Sequence, residues 1–187
     1  SKQSRLSGKI QPEADSIESV PQLAKDIVDN AALVEEQSKF LELFPYYIGP
    51  TRPKVLLVGD ERNIVKRYGE ETTLPFMPVD GNSAEYLLTA LPDDLWMQVG
   101  IININDGDNK LSFNALWNAL GFPKIAVLGR LAEKTLSKIP VHEDYYTVLP
   151  HPQYVRRFFN KTKEEYGQAI QRVADGIDKK EETWTLR

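Results

Sequence analysis

The sequence contains no cysteine and only two histidines, His142 and His151. The first absence excludes disulfides, iron-sulfur clusters and thiolate zinc sites, and the second argues against a histidine-based metal centre, so no metal or other cofactor is expected. Apolar runs approaching the ~20 residues of a membrane-spanning helix are also missing. The opening SKQSRLSGKIQPEADS is polar throughout and offers no secretory h-region. These absences predict a soluble, cytoplasmic protein that makes no use of a membrane. VLLVGDERN lacks the GxxxxGK[ST] and GxGxxG spacings that expose several amides to phosphate, which disfavours a nucleotide-binding P-loop.

What is present suits one globular core. The chain has 187 residues, 41% hydrophobic and 10% aromatic, enough for a single domain with peripheral tails. Its net charge of -4 argues against indiscriminate coating of nucleic acid. Between His151 and Lys163, however, stand Arg156, Arg157, Lys161 and Lys163 with no acidic residue, a local positive surface.

The organisation follows from periodicity. Residues 1–20 read as a polar arm, residues 21–178 as a single α/β domain, and residues 179–187 as a tail. Apolar positions from Leu23 to Leu43 recur at helical spacing, and FPYYIGPTRP ends that helix with prolines and a glycine. Short apolar runs then alternate with helical segments: KVLLVG, SAEYLLTAL, QVGIININ, SFNALWNAL, KIAVLG, LAEKTLSKI and YTVLP. A last amphipathic helix is read over Lys163 to Ile177. Continuous apolar strands imply burial on both faces, hence a three-layer helix-sheet-helix sandwich around a central, mostly parallel sheet.

Ligands of such sheets gather at the carboxyl ends of the strands. Asp60 and Glu61 follow the first strand across Gly59, where the backbone can approach a ligand; neighbouring side chains diverge, so either one carboxylate faces the crevice, or one caps the next segment and the other is solvated. Asn103 closes a buried strand, and its amide either reads the edge of a pyrimidine ring or satisfies a turn. Phe76, braced between prolines in LPFMP, either stacks on a flat ligand or plugs the core. His151, fixed by Pro152, either donates to an oxygen that gains charge or makes a structural hydrogen bond. Beyond it, Gln153, Tyr154, Val155, Arg156 and Arg157 form either an apolar wedge backed by phosphate contacts or a solvated helix end.

In order and spacing these segments resemble the uracil-DNA glycosylase superfamily. KVLLVGDERN is similar to the family's strand-plus-turn motif, GQDPY in one branch and GEAPG in another. LPFMPVDGNSAEYLLTAL resembles the GxPFxxxSGxxLxxxL stretch of the iron-sulfur branch, VGIININ takes the place of its VYITN strand, PKIAVLGRLAEKTL looks like PKxIVALGxxAAxxLL, and LPHPQYVRR looks like YHPSxLLR. The likeness runs from Lys54 to about Phe158. It implies a monofunctional hydrolase of N-glycosidic bonds, without lyase activity, that acts on uracil or a modified pyrimidine flipped out of single- or double-stranded DNA. Such an enzyme would act as a monomer, in repair or in phage-host conflict. By position, Glu61 falls where the water-orienting residue most often stands and Asp60 where the iron-sulfur branch has its glutamate. Phe76 would stack on the base, Asn103 would read its edge, His151 would stabilise the departing base oxygen, and Val155 with Tyr154 would form the wedge. Arg62 and Asn63 replace Pro-Gly or Pro-Tyr, Gln153 replaces the serine of HPS, and the cluster cysteines are absent. The alternatives are a catalytically inactive glycosylase-fold module that binds DNA or protein, an enzyme of free nucleosides, and a flavodoxin-like or receiver-type domain.

Overall fold

The computed structural model describes residues 24, 31, 35–61, 66–67, 70–71, 83–141, 143–177 and 184. The chain divides into two compact units, Ser1–Pro45 and Tyr46–Arg187, so the helix read from the sequence between Pro21 and Leu43 belongs to the first and the α/β layers to the second. In the first unit residues 35–43 are helical. Phe40 and Phe44, four apart, stack at 5.0 Å between ring centroids, and Lys39 lies 3.3 Å from Glu35 one turn earlier. Pro45 follows and cannot extend the helix.

The second unit begins with β1 (Val55–Gly59), a small hairpin of β2 (Lys66–Arg67) and β3 (Glu70–Glu71), α1 (Ser83–Ala90), α2 (Asp93–Trp96) and β4 (Val99–Asn103). It continues with α3 (Asn109–Ala119), β5 (Lys124–Leu128), α4 (Arg130–Leu136), a 3-10 turn at Glu143–Tyr145, β6 (Tyr146–Leu149), α5 (Pro152–Phe158) and α6 (Lys163–Ala174). The main sheet has four strands in the order β4-β1-β5-β6, all parallel.

Why helices flank this sheet follows from the strand sequences. Every residue of β1 and β4 is buried, so both faces of the central strands need cover. Val55, Leu57, Val99, Ile101, Ala126 and Leu128 share one apolar cluster with Leu87 of α1, Leu95 of α2, Val155 of α5 and Ile170 of α6. The alternate residues Leu56, Val58, Ile102, Ile125 and Val127 point to the opposite face by strand parity and are equally buried. Connections from β1 to β4 step one way along the sheet, whereas β4 to β5 to β6 steps back the other way. Right-handed crossovers therefore put α1 and α2 on one face and α3 and α4 on the other. The architecture is α/β, consistent with the three-layer arrangement.

Two close approaches lock the unit. Ile48 bridges Ile101 on the outer side of β4, and Tyr47 lies so tightly against Gly100 that a Cβ there would collide with the phenol ring. On the opposite face Gly167 of α6 sits on the carbonyl of Ala90, at the end of α1, where a Cβ would collide with backbone. Helix α6 starts with a capping box, Thr162 accepting from the Glu165 N–H and Glu165 from the Thr162 N–H. It ends at Ala174 rather than Ile177 because Gly176 turns left-handed, φ 71°, and the Ile177 N–H folds back to the Arg172 carbonyl. Among the described residues no helix is long and apolar enough to cross a membrane.

Candidate active site

The strand order puts a switch point between β1 and β5, whose following helices leave toward opposite faces, and the carboxyl ends at such a point are where ligands of open α/β sheets gather. Asp60 stands at the end of β1. Pairing with the β4 side continues past both strands, the Ile104 N–H donating to the Gly59 carbonyl at 2.9 Å and the Asn105 N–H to the Asp60 carbonyl at 2.8 Å. The Asn105 side chain then takes hold of the same residue, Nδ2 donating to Asp60 Oδ1 at 2.6 Å, and its Oδ1 accepts from Thr135 Oγ1 of α4 at 2.9 Å. Glu61 is exposed, whereas Asp60 is half-buried.

His151 arrives at this rim from β6. It caps α5, its Nδ1 accepting from the Gln153 N–H at 3.1 Å, with Pro152 in the first helical position. The preceding carbonyl, Pro150, accepts from the Tyr166 hydroxyl of α6 at 2.8 Å, which anchors the turn to the core. Gly129, at the end of β5, has φ 96° and faces the His151 Cβ, so a side chain at 129 would both strain the backbone and crowd the imidazole. Burial lowers the pKa of His151, and the charge of Asp60 opposes that shift. Asp60 and His151 therefore act on each other across the rim. An Nδ1 that accepts a hydrogen bond leaves the proton of the neutral imidazole on Nε2, a donor that carries no charge.

Asn103, the register partner of Gly59, is 2% exposed and fastens a turn. Its Nδ2 donates to Asp106 Oδ2 at 3.3 Å, and its carbonyl accepts from Asn109 Nδ2 at 2.7 Å. The turn role considered for this amide is thus present. Phe76, Arg62 and Asn63 lie outside the described residues.

Helix α5 corrects one expectation. Val155 is 0% exposed and belongs to the apolar core, so it cannot serve as part of a wedge. The reason is helical geometry: adjacent residues point about 100° apart, so Tyr154 and Val155 do not share a face. Tyr154 instead pairs with Phe158 one turn later at 5.6 Å between centroids, both exposed, with Arg156 and Arg157 exposed beside them and Gln153 half-buried. Lys161 of the basic run lies 4.8 Å over the Trp184 ring. Among the described residues no three His, Cys, Asp or Glu side chains are grouped to hold a metal ion.

Asn105 and Thr135 escaped the sequence reading. Asn105 had a weak signal: it stands in the polar turn just past the apolar run that ends at Asn103. Thr135 had none, being an ordinary polar residue of a surface helix. No protein-family model matches the chain, and no curated protein matches it either.

Proposed function

We propose that the chain is a DNA glycosylase that hydrolyses the N-glycosidic bond of a flipped-out uracil or modified pyrimidine, leaving an abasic site. The observation that carries this reading is that the charge of Asp60 acts on His151, whose lowered pKa and accepting Nδ1 leave a neutral, Nε2-protonated imidazole, with both residues just past carboxyl ends of a parallel sheet. The ordered resemblance of residues 54–158 to the uracil-DNA glycosylase superfamily supports it. In this mechanism the bond between C1′ and the base nitrogen breaks with its electron pair going to the base. His151 Nε2–H donates to the base oxygen on which negative charge grows, and no charged donor is needed. Asp60, on the other side of the scissile bond, orients water toward C1′ and stabilises the oxocarbenium character of the sugar; the water's proton leaves to the carboxylate or to solvent. Asp60 suits this role better than the exposed Glu61, because its carboxylate is held by Asn105 and its charge acts on the imidazole.

The base must leave the stack, at a cost of a few kcal/mol. Tyr154 and Phe158 supply an exposed aromatic surface for the gap or for a neighbouring base, and Arg156 and Arg157 supply phosphate contacts. The same face favours a second reading, a glycosylase-like module that binds DNA without cutting it, since the α5 surface needs no chemistry to hold a strand.

Incubation with single- and double-stranded oligonucleotides carrying uracil, mismatches or bulky modified pyrimidines, followed by alkali treatment, separates the two. The glycosylase reading expects a free base and an alkali-labile site with at least one of them. Binding without either product leaves the inactive module.

A further inference from the structure

We propose that Asn105 and Thr135 are positioning residues that set the orientation of the Asp60 carboxylate, an inference that rests on the glycosylase reading of the same rim. The polarity of the chain of hydrogen bonds is fixed by chemistry. An ionised carboxylate only accepts, so the Asn105 side chain must turn its NH₂ toward Asp60 and its Oδ1 away. That oxygen can only accept, and the Thr135 hydroxyl supplies the proton at 2.9 Å; its other acceptor, the Leu131 carbonyl, is farther at 3.3 Å. Reversing the Asn105 amide would set an oxygen against the carboxylate and its NH₂ against the hydroxyl. The accept-only Asp60 carboxylate therefore selects this amide orientation, and the Thr135 hydroxyl supports it by donating to the outward Oδ1.

Asn105 grips Asp60 at two atoms, through its own N–H on the carbonyl and Nδ2 on Oδ1, so both the backbone and the carboxylate plane are held. With Oδ1 engaged in a charge-assisted bond at 2.6 Å, Oδ2 is the oxygen assigned to the water. The three residues come from three elements, the ends of β1 and β4 and the body of α4. Loss of the Asn105 or the Thr135 side-chain contact leaves the strand pairing in place but frees the Asp60 carboxylate to rotate. Oriented reactants lose rate steeply when such a group is released, because alignment is part of the barrier.

The test uses the full chain and the pair Thr135→Val and Thr135→Ser, the first nearly isosteric without a hydroxyl, the second retaining it. Two readouts are taken: exchange of the Asn105 side-chain amide protons by NMR, the signal being assigned by its loss in Asn105→Ala, and single-turnover base release beside DNA affinity. Thr135→Val should speed amide exchange and slow release by roughly tenfold or more at unchanged affinity, while Thr135→Ser restores both. Wild-type behaviour of Thr135→Val in both readouts overturns the proposal. Faster amide exchange in Thr135→Val, with no base released by the wild type, overturns the glycosylase reading and keeps the hydrogen-bonded chain. Slower release without any change in amide exchange also overturns the proposal, since the effect then bypasses Asn105.

Discussion

The carboxylate of Asp60 and the imidazole of His151 influence each other electrostatically, although they follow different strands with β5 between them. That relationship is built by the sheet. Parallel strands bring all their carboxyl ends to one edge, and the short turns after β1 and β6 place an acid and a base there.

The protonation of His151 ties the site to stability. Its pKa is lowered in the folded protein from the ordinary 6.5, so above that pH both states are neutral and the group contributes nothing. As pH falls through 6.5 the unfolded chain takes up a proton that the native chain resists, and stability declines until the lower folded value is passed. Protonation of Nδ1 also removes the acceptor that caps α5. Thermal unfolding of wild type and His151→Asn should therefore diverge on acidification, the wild type losing more, because Asn keeps a capping acceptor and does not titrate. Parallel curves would contradict this.

Tyr154 and Val155 are neighbours with opposite predicted effects. Val155→Ala removes buried methyl groups and should cost about 1.5–3 kcal/mol of stability. Tyr154→Ala, at an exposed site, should stay within about 0.5 kcal/mol yet weaken DNA binding. Chemical denaturation and a binding titration on the two variants check both halves.

How much of this was legible beforehand differs by element. The parallel sheet was, because β1, β4 and most of β5 are unbroken apolar runs that only two-sided burial explains. That Asp60 and His151 stand just past strand ends was, because VLLVG and YTVLP lead up to them. The tip of α5 was not: reading Tyr154 and Val155 as one surface ignored the turn between adjacent helical residues, which sends Val155 inward. The grip of Asn105 on Asp60 depends on which strands pair, and no local pattern encodes that. The short β2–β3 hairpin and α2 were missed because two to four residues carry no measurable period.

Replacing Arg156 and Arg157 together with Ala should weaken binding about equally across DNA sequences. The dependence of log affinity on log salt should flatten by roughly 0.9 for each phosphate that is no longer neutralised. An unchanged slope measured between low and moderate salt would remove α5 from the DNA interface.

Away from the rim, Gly167→Ala should destabilise the protein by about 1–3 kcal/mol or more, since the added methyl meets the Ala90 carbonyl rather than a side chain that can move aside. A denaturation midpoint equal to wild type would contradict the close packing of α6 on the end of α1.

The shared rim itself is tested most directly by following the His151 imidazole in an NMR pH titration, in a His142→Gln background that leaves one histidine. In Asp60→Asn the midpoint should fall below that of the parent, because the charge that holds it up is gone. A midpoint identical in the two proteins would mean that the carboxylate and the imidazole do not face one crevice, and the mechanism built on them would fail.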